Sequence, residues 1–230
     1  MRVNDRYLSF YYVPDTEYMP IEIEKSKTAL LIVDMQNEFV SRPVITEESS
    51  DIAKSEALRW EPFYKKCEEV IIPNNRRILD AFREKSMNVC FAKIISLKKD
   101  GSDRSIDQKG TGFNAMHMML GDHDGEIVPE LTPIDDEIVV LKTTDSAITG
   151  TNLRLLLHNM GIDTVVVTGV LTDQCVSGTV RSLADESFKV WLIEDACMAA
   201  TEEIQRNELE ILNNIYCHVI NTDELIAALE

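Results

Sequence analysis

Val165-Val166-Val167-Thr168-Gly169-Val170-Leu171-Thr172-Asp173-Gln174-Cys175 is an apolar run that breaks at a glycine and then turns polar. The valines and their apolar neighbours read as a strand buried on both faces, the kind that parallel sheets use. Past it, Val176, Thr179, Val180 and Leu183 recur at three- and four-residue intervals, the period of a helix. Strand, tight turn and helix make half of a βαβ unit, so this stretch predicts an α/β domain. It also places the Cys175 thiol at or next to the first helical turn, with Thr172 or Asp173 as N-cap. Unpaired backbone N–H groups and the positive dipole end converge there, which lowers a thiol's pKa toward the reactive thiolate. An inert buried cysteine fits the same position, since free cysteine is among the most buried residue types.

The alternation continues on both sides. Residues 28–33 form an apolar run ending at Asp34, and 73–85 have helical spacing. Strands follow at 88–95 and at 137–141, the latter ending at Lys142. A helix at 152–159 stops at Gly161, and the strand that leads to Cys175 spans 163–170. Beyond it come a strand at 189–193, a helix at 202–213, a strand at 216–220 and a helix at 223–229. This order predicts a three-layer, doubly wound α/β fold: a mainly parallel six-stranded sheet with helices on both faces. Residues 28–230 form the domain. Residues 1–27, with four tyrosines and little periodicity, read as an N-terminal arm that packs on the body or on a partner chain. Two stretches, 41–69 and 98–124, read as irregular loops of the kind that serve as lids, binding loops or interface elements.

The 230 residues carry a net charge of -17, which argues against nucleic acid and anionic membrane surfaces as partners. No apolar run reaches membrane-span length, and residues 1–12 lack the apolar core of a signal peptide. Five cysteines (Cys67, Cys90, Cys175, Cys197, Cys217), odd in number and without a CxxC pair, favour reduced thiols and a cytoplasmic setting. No strand leads into a Gly-x-Gly-x-x-Gly turn, so no dinucleotide is expected.

Open parallel sheets bind ligands at the carboxyl ends of their strands. Three reactive side chains fall on such ends here: Asp34, Lys142 and Cys175. Each alone could be a helix cap, a solvated strand end or a core residue. Together they supply acyl transfer: the thiolate attacks a carbonyl, the carboxylate moves the proton and the ammonium stabilises the charged partners. The Cys175 N–H and one from the preceding turn could form an oxyanion hole.

At these residues the chain resembles the isochorismatase-like cysteine hydrolase superfamily, which includes nicotinamidases, N-carbamoylsarcosine amidases, ureidoacrylate amidohydrolases and biuret hydrolases. Leu31-Ile32-Val33-Asp34-Met35-Gln36-Asn37-Glu38-Phe39 is similar to the family's strand with the catalytic aspartate. Gly125-Glu126-Ile127-Val128-Pro129-Glu130-Leu131, followed by Lys142, resembles the approach to its lysine. Residues 169–176 resemble the nucleophile turn, and Asp195-Ala196 closes the fifth strand in the family manner. The resemblance implies Cys175 as nucleophile, Asp34 as base and then acid, and Lys142 as the group poising both. It further implies a cis peptide between Val170 and Leu171, an oxyanion hole from the N–H groups of Leu171 and Cys175, Phe39 packing on the substrate, and a homo-oligomer, dimer or tetramer.

Departures bear on the substrate. Ser146-Ala147-Ile148 replaces the usual Ser-Ala-Phe, and Asp145 stands where an aromatic residue commonly precedes the serine. Nicotinamidases in the superfamily hold a metal after the second strand, but residues 93–104 contain no histidine. His117 and His123 lack ligand spacing, so neither a metal nor a cofactor is expected. Lys93 reads as an ordinary strand residue. The expected activity is hydrolysis of a C–N bond in a small amide or ureido substrate through a thioester. Vinyl ether hydrolysis of the isochorismatase type belongs to relatives that lack the nucleophilic cysteine. A dehalogenase-like phosphatase would need a second aspartate where Gln36 stands. A non-catalytic binding protein would be expected to lose part of the triad. The missing aromatics favour carbamoyl compounds such as biuret or ureidoacrylate over nicotinamide.

Overall fold

The computed structural model describes residues 5–13, 20–109 and 117–230. Strand β1 (Thr28–Val33) is buried along its whole length, as an unbroken apolar strand must be when both sheet faces are covered. Its flanking strands β2 (Asn88–Ile94) and β4 (Thr164–Val170) run parallel to it. β3 (Ile138–Lys142) pairs beyond β2, while β5 (Lys189–Met198) and β6 (His218–Ile220) continue beyond β4. The order β3-β2-β1-β4-β5-β6 is parallel throughout. Connections leave in opposite directions at β1 and β4, so their carboxyl ends form the topological switch point.

Seven helices cover the sheet among the described residues: α1 (Asn37–Val40), α2 (Asp51–Lys66), α3 (Ile72–Glu84), α4 (Leu153–Asn159), α5 (Ser177–Asp185), α6 (Glu202–Leu212) and α7 (Thr222–Leu229). Strand side chains alternate between two cores. Leu31 and Val33 face Leu157 of α4, Val180 of α5 and Leu209 of α6. Leu30 and Ile32 face Phe63 of α2, Phe82 of α3 and Leu225 of α7. The three-layer doubly wound fold expected from the sequence is the one observed.

Residues 41–69 read as irregular, yet they contain the sixteen-residue helix α2. Ser50 caps it, accepting from the Ala53 N–H at 3.1 Å. Pro62, which would normally argue against a helix interior, lies inside it. Phe63 alone is buried along α2, so no apolar stripe marked it. A π-turn at Cys67–Ile71, closed by the Ile72 N–H onto the Cys67 carbonyl, then joins α2 to α3 and shifts the helical phase.

β5 was expected to stop at residue 193 but runs to Met198 across a register shift opposite Val167 and Gly169. Glu194 and Asp195 broke the apolar pattern there. Both are bonded: Glu194 accepts from Arg6 and Tyr7, and Asp195 Oδ1 accepts from the Thr222 N–H and hydroxyl at 2.8 Å each. Within the stretch read as an arm, Tyr7 packs on the core and its carbonyl accepts from Asn213 at 3.2 Å. Tyr18, with the rest of residues 1–4 and 14–19, lies outside the described residues, as do 110–116 of the second loop.

Gly169 brings the ends of β1 and β4 together. Its φ is +116°, and a Cβ there would stand 2.0 Å from the Val33 carbonyl oxygen. Gly169→Ala is expected to cost about 3 kcal/mol in urea unfolding, because backbone rather than a flexible side chain must move. Unchanged stability would contradict this close approach.

Candidate active site

Asp34 leaves β1 in the left-handed region, at φ +50°, where aspartate is better tolerated than most residues. Its N–H donates to the Ala92 carbonyl at 2.9 Å, and its carbonyl accepts from the Gln36 N–H at 2.7 Å. The fully buried Gln36 holds this turn in place. Its Nε2 donates to the carbonyls of Ile94 and Gly125, each at 3.0 Å, and its Oε1 accepts from the Ile94 N–H at 2.8 Å. Gln36 thereby ties the end of β1 to β2 and to the loop before β3. In the sequence it served only to exclude a phosphatase. Its signal is a large amide two residues past a strand-end aspartate.

Lys142 is the last residue of β3 rather than the first beyond it, and its side chain is buried. Its Nζ lies 2.6 Å from Asp34 Oδ2 and donates to the Thr144 carbonyl at 3.1 Å and to Cys175 Sγ at 3.2 Å. The ammonium is thus ion-paired with Asp34 and hydrogen-bonded to two further acceptors.

Cys175 follows β4 across the cis peptide Val170–Leu171. The chain next makes a π-turn, Thr172–Val176, with the Val176 N–H reaching the Leu171 carbonyl at 3.2 Å. π-turns inside helices are frequent at functional sites. Leu171 takes the N-cap position and no side chain caps the turn, which corrects the expectation of Thr172 or Asp173. The wide turn takes both residues into the helix. The structure brings Asp34, Lys142 and Cys175 into one buried cluster.

The expected depression of the thiol's pKa is also corrected. Burial first, and then the charge of Asp34, hold Cys175 well above the ordinary thiol value, with Lys142 working the other way. Asp34 is likewise raised by burial against the pull of Lys142. Burial acts to lower Lys142, but Asp34 and Cys175 together raise it. Burial thus disfavours the charged form of both acids, and the Lys142 ammonium opposes it in each.

A narrow cavity of about 20 Å³ reaches this cluster, bordered by Asp34, Phe39, Leu171 and Cys175. Arg104, Gln108 and Asp145 complete its polar wall. Arg104 is buried, and its Nε donates to the Thr143 carbonyl at 3.2 Å. Burial lowers its pKa, opposed by the charges of Cys175 and Asp145. Neither Arg104 nor Gln108 was picked out in the sequence, where both sit in a polar loop without periodicity. Phe39 and Leu171 also line a second cavity of about 280 Å³, whose far wall is α2 with Trp60, Phe63 and Tyr64.

Lys93 lies in β2 with its Nζ 2.8 Å from Glu126 Oε2. His123 is exposed beside Asp124, and His117 packs against Gly101. Among the described residues, no three His, Cys, Asp or Glu side chains form a group able to hold a metal ion. The remaining cysteines are buried. Burial pushes Cys67 and Cys90 up to about 12 and raises Cys197 and Cys217 as well. No helix among the described residues is long and apolar enough to cross a membrane.

The Isochorismatase domain model matches residues 28–224. The uncharacterized isochorismatase family protein YrdC of Bacillus subtilis is 30% identical over 214 residues, covering 88% of this chain and 96% of that protein. N-carbamoylsarcosine amidase of Arthrobacter sp is 27% identical over 195 residues, covering 84% of this chain and 73% of that protein. Among solved structures, a cysteine hydrolase from Pseudomonas syringae pv. phaseolicola superposes with a TM-score of 0.74 at 24% identity, covering 94% of this chain and 98% of that one.

Proposed function

We propose that this chain, which belongs to the isochorismatase family and is thereby a hydrolase, cleaves a C–N bond of a small amide or ureido compound through a thioester on Cys175. The observation that carries this reading is the buried triangle of Asp34, Lys142 and Cys175. Isochorismatase-type hydrolysis of a vinyl ether has no use for a thiol held 3.2 Å from an ammonium.

Cys175 Sγ donates to Asp145 Oδ1 at 3.6 Å. It shares the Lys142 ammonium with Asp34, at 3.2 and 2.6 Å, so passing its proton to the Asp34 carboxylate leaves the net charge of the cluster unchanged. Sγ bonds to the carbonyl carbon, and the backbone N–H groups of Leu171 and Cys175 receive the developing oxyanion. As the C–N bond breaks, Asp34 returns the proton to the leaving nitrogen. Water, deprotonated by Asp34, then cleaves the thioester and regenerates the thiol. The sum is substrate plus water giving acid plus ammonia or amine. Lys142 keeps its charge throughout and balances whichever partner is anionic. Phe39 packs against the substrate between the two cavities. This route requires neither metal nor cofactor.

The polar wall with Asp145, and the similarity to an N-carbamoylsarcosine amidase, favour a carbamoyl substrate. Ammonia release is to be compared across biuret, ureidoacrylate, N-carbamoyl amino acids, nicotinamide and aliphatic amides. A carbamoyl compound is expected to give the highest kcat/KM. Nicotinamide giving the highest would overturn the carbamoyl preference. Isochorismate turnover with no ammonia from any amide would overturn C–N hydrolysis itself.

A further inference from the structure

Within the catalytic cavity, Gln108 is buried to 8% exposure and only half satisfied. Its Nε2 donates to Asp145 Oδ1 at 2.7 Å, while its Oε1 has no hydrogen-bond partner among the described residues. Turning the amide over brings no relief, because Oε1 would then face a carboxylate oxygen. Asp145 therefore dictates which end of Gln108 remains unbonded. A buried carbonyl oxygen without a donor is costly, and in a ligand cavity it is an acceptor offered to the ligand.

Asp145 itself borders the reacting atom, with its Oδ1 3.6 Å from Cys175 Sγ. The nearest ammonium, that of Lys142, is already engaged by Asp34, Thr144 and Cys175. Of the polar wall, Arg104 supplies donors, one of them already on the Thr143 carbonyl. Gln108 and Asp145 instead add acceptors beside the nucleophile, and acceptors select ligands rich in N–H. An amide carries nitrogen on one side of its carbonyl. A ureido group, R–NH–CO–NH2, carries it on both.

We propose that Gln108, oriented by Asp145, receives an N–H from the second nitrogen of the substrate, so that the site selects ureido compounds over amides of the same shape. This rests on the reading of Cys175 as nucleophile toward a C–N bond. Intrinsic reactivity runs the other way, since two nitrogens feeding one carbonyl make it a weaker electrophile. A ureido preference must then come from the site. The neighbouring cavity of about 280 Å³ past Phe39 and Leu171 has room for the part of the substrate away from the reacting carbonyl. Sites built to bond a polar group discriminate strongly against analogues without it, because their own polar atom then stays unpaired.

Two matched pairs test this, each differing only in NH against CH2: N-carbamoylglycine with succinamate, and ethylurea with butyramide. The second pair removes any effect of a substrate carboxylate. The wild-type protein is expected to favour the ureido member of each pair by about 100-fold in kcat/KM. In Gln108→Leu the ratio is expected to fall to about threefold or less. Equal or better turnover of the amides by the wild-type protein overturns the proposal, and so does a ureido preference that survives Gln108→Leu. Calorimetry on Cys175→Ala, which binds without turnover, gives an independent reading of the same preference. Tighter binding of the ureido members supports the proposal, and equal, weaker or absent binding overturns it. Wild-type turnover of none of the four compounds counts against C–N hydrolysis, whereas turnover without ureido preference defeats only the role of Gln108.

Discussion

Replacing Cys175 with alanine is expected to lower kcat/KM by about 10,000-fold or more, because the bond-forming atom is gone. Cys175→Ser should fall nearly as far. Its hydroxyl is a much weaker acid than a thiol, and Asp34 and Lys142 are placed to manage a thiol. Neither change enlarges the side chain, so thermal unfolding should stay close to that of the wild-type protein. Iodoacetamide supplies the complementary observation. Cys175 is 7% exposed, against 0% for Cys67, 1% for Cys90 and Cys197 and 3% for Cys217. It also has an ammonium 3.2 Å from its sulfur. Labelling should therefore reach Cys175 first. A Cys175→Ala protein that retains activity, with another cysteine labelled first, would contradict the assignment.

Asp34→Asn is expected to move turnover and thiol reactivity in opposite directions. Turnover should drop by about 1,000-fold, the scale of a lost general acid–base group. Reactivity toward iodoacetamide should rise. The sign follows from the charges: Asp34 raises the thiol pKa and Lys142 lowers it. Removing the carboxylate leaves the buried ammonium opposed only by the weaker pull of Asp145 among the charges acting on the sulfur, so the thiolate becomes easier to form. In the wild-type protein the labelling rate should climb only at alkaline pH, above the usual thiol value of about 8.5. In Asp34→Asn that climb should begin at lower pH, with labelling near neutrality about tenfold faster. Slower labelling together with lost turnover would mean that Asp34 acts by holding the fold of the site rather than by exchanging a proton with Cys175.

The central strands were legible because they are buried on both faces and therefore nearly continuous in apolar residues. The edge strand β3 keeps an apolar run although Val139 and Leu141 are exposed. β1 and β4 end abruptly in Asp34 and in the turn to Cys175, and this abruptness marked the strand ends that face the site. α2 was not legible. Pro62 imitates a helix stop, and only Phe63 of its sixteen residues is buried. The far end of β5 was hidden by Glu194 and Asp195, whose partners Arg6, Tyr7 and Thr222 come from distant parts of the chain. The direction of the thiol's pKa was misread for a related reason. A helix start is visible in the sequence, whereas a buried carboxylate contributed by another strand is a fact of tertiary structure. Asp145 stood out as a departure from the family pattern, but Gln108, 37 residues earlier, gave no sign that it would meet it.

The central claim is that the substrate passes through a covalent bond to Cys175. Rapid acid quenching of the enzyme during turnover of its best ammonia-releasing substrate, followed by peptide mass analysis, tests this directly. The account predicts the mass of the substrate's acyl or carbamoyl group on the peptide bearing Cys175, appearing within the first turnover and vanishing once substrate is exhausted. Full turnover with Cys175 unmodified at every quench time, and the same rate in Cys175→Ala, would contradict it.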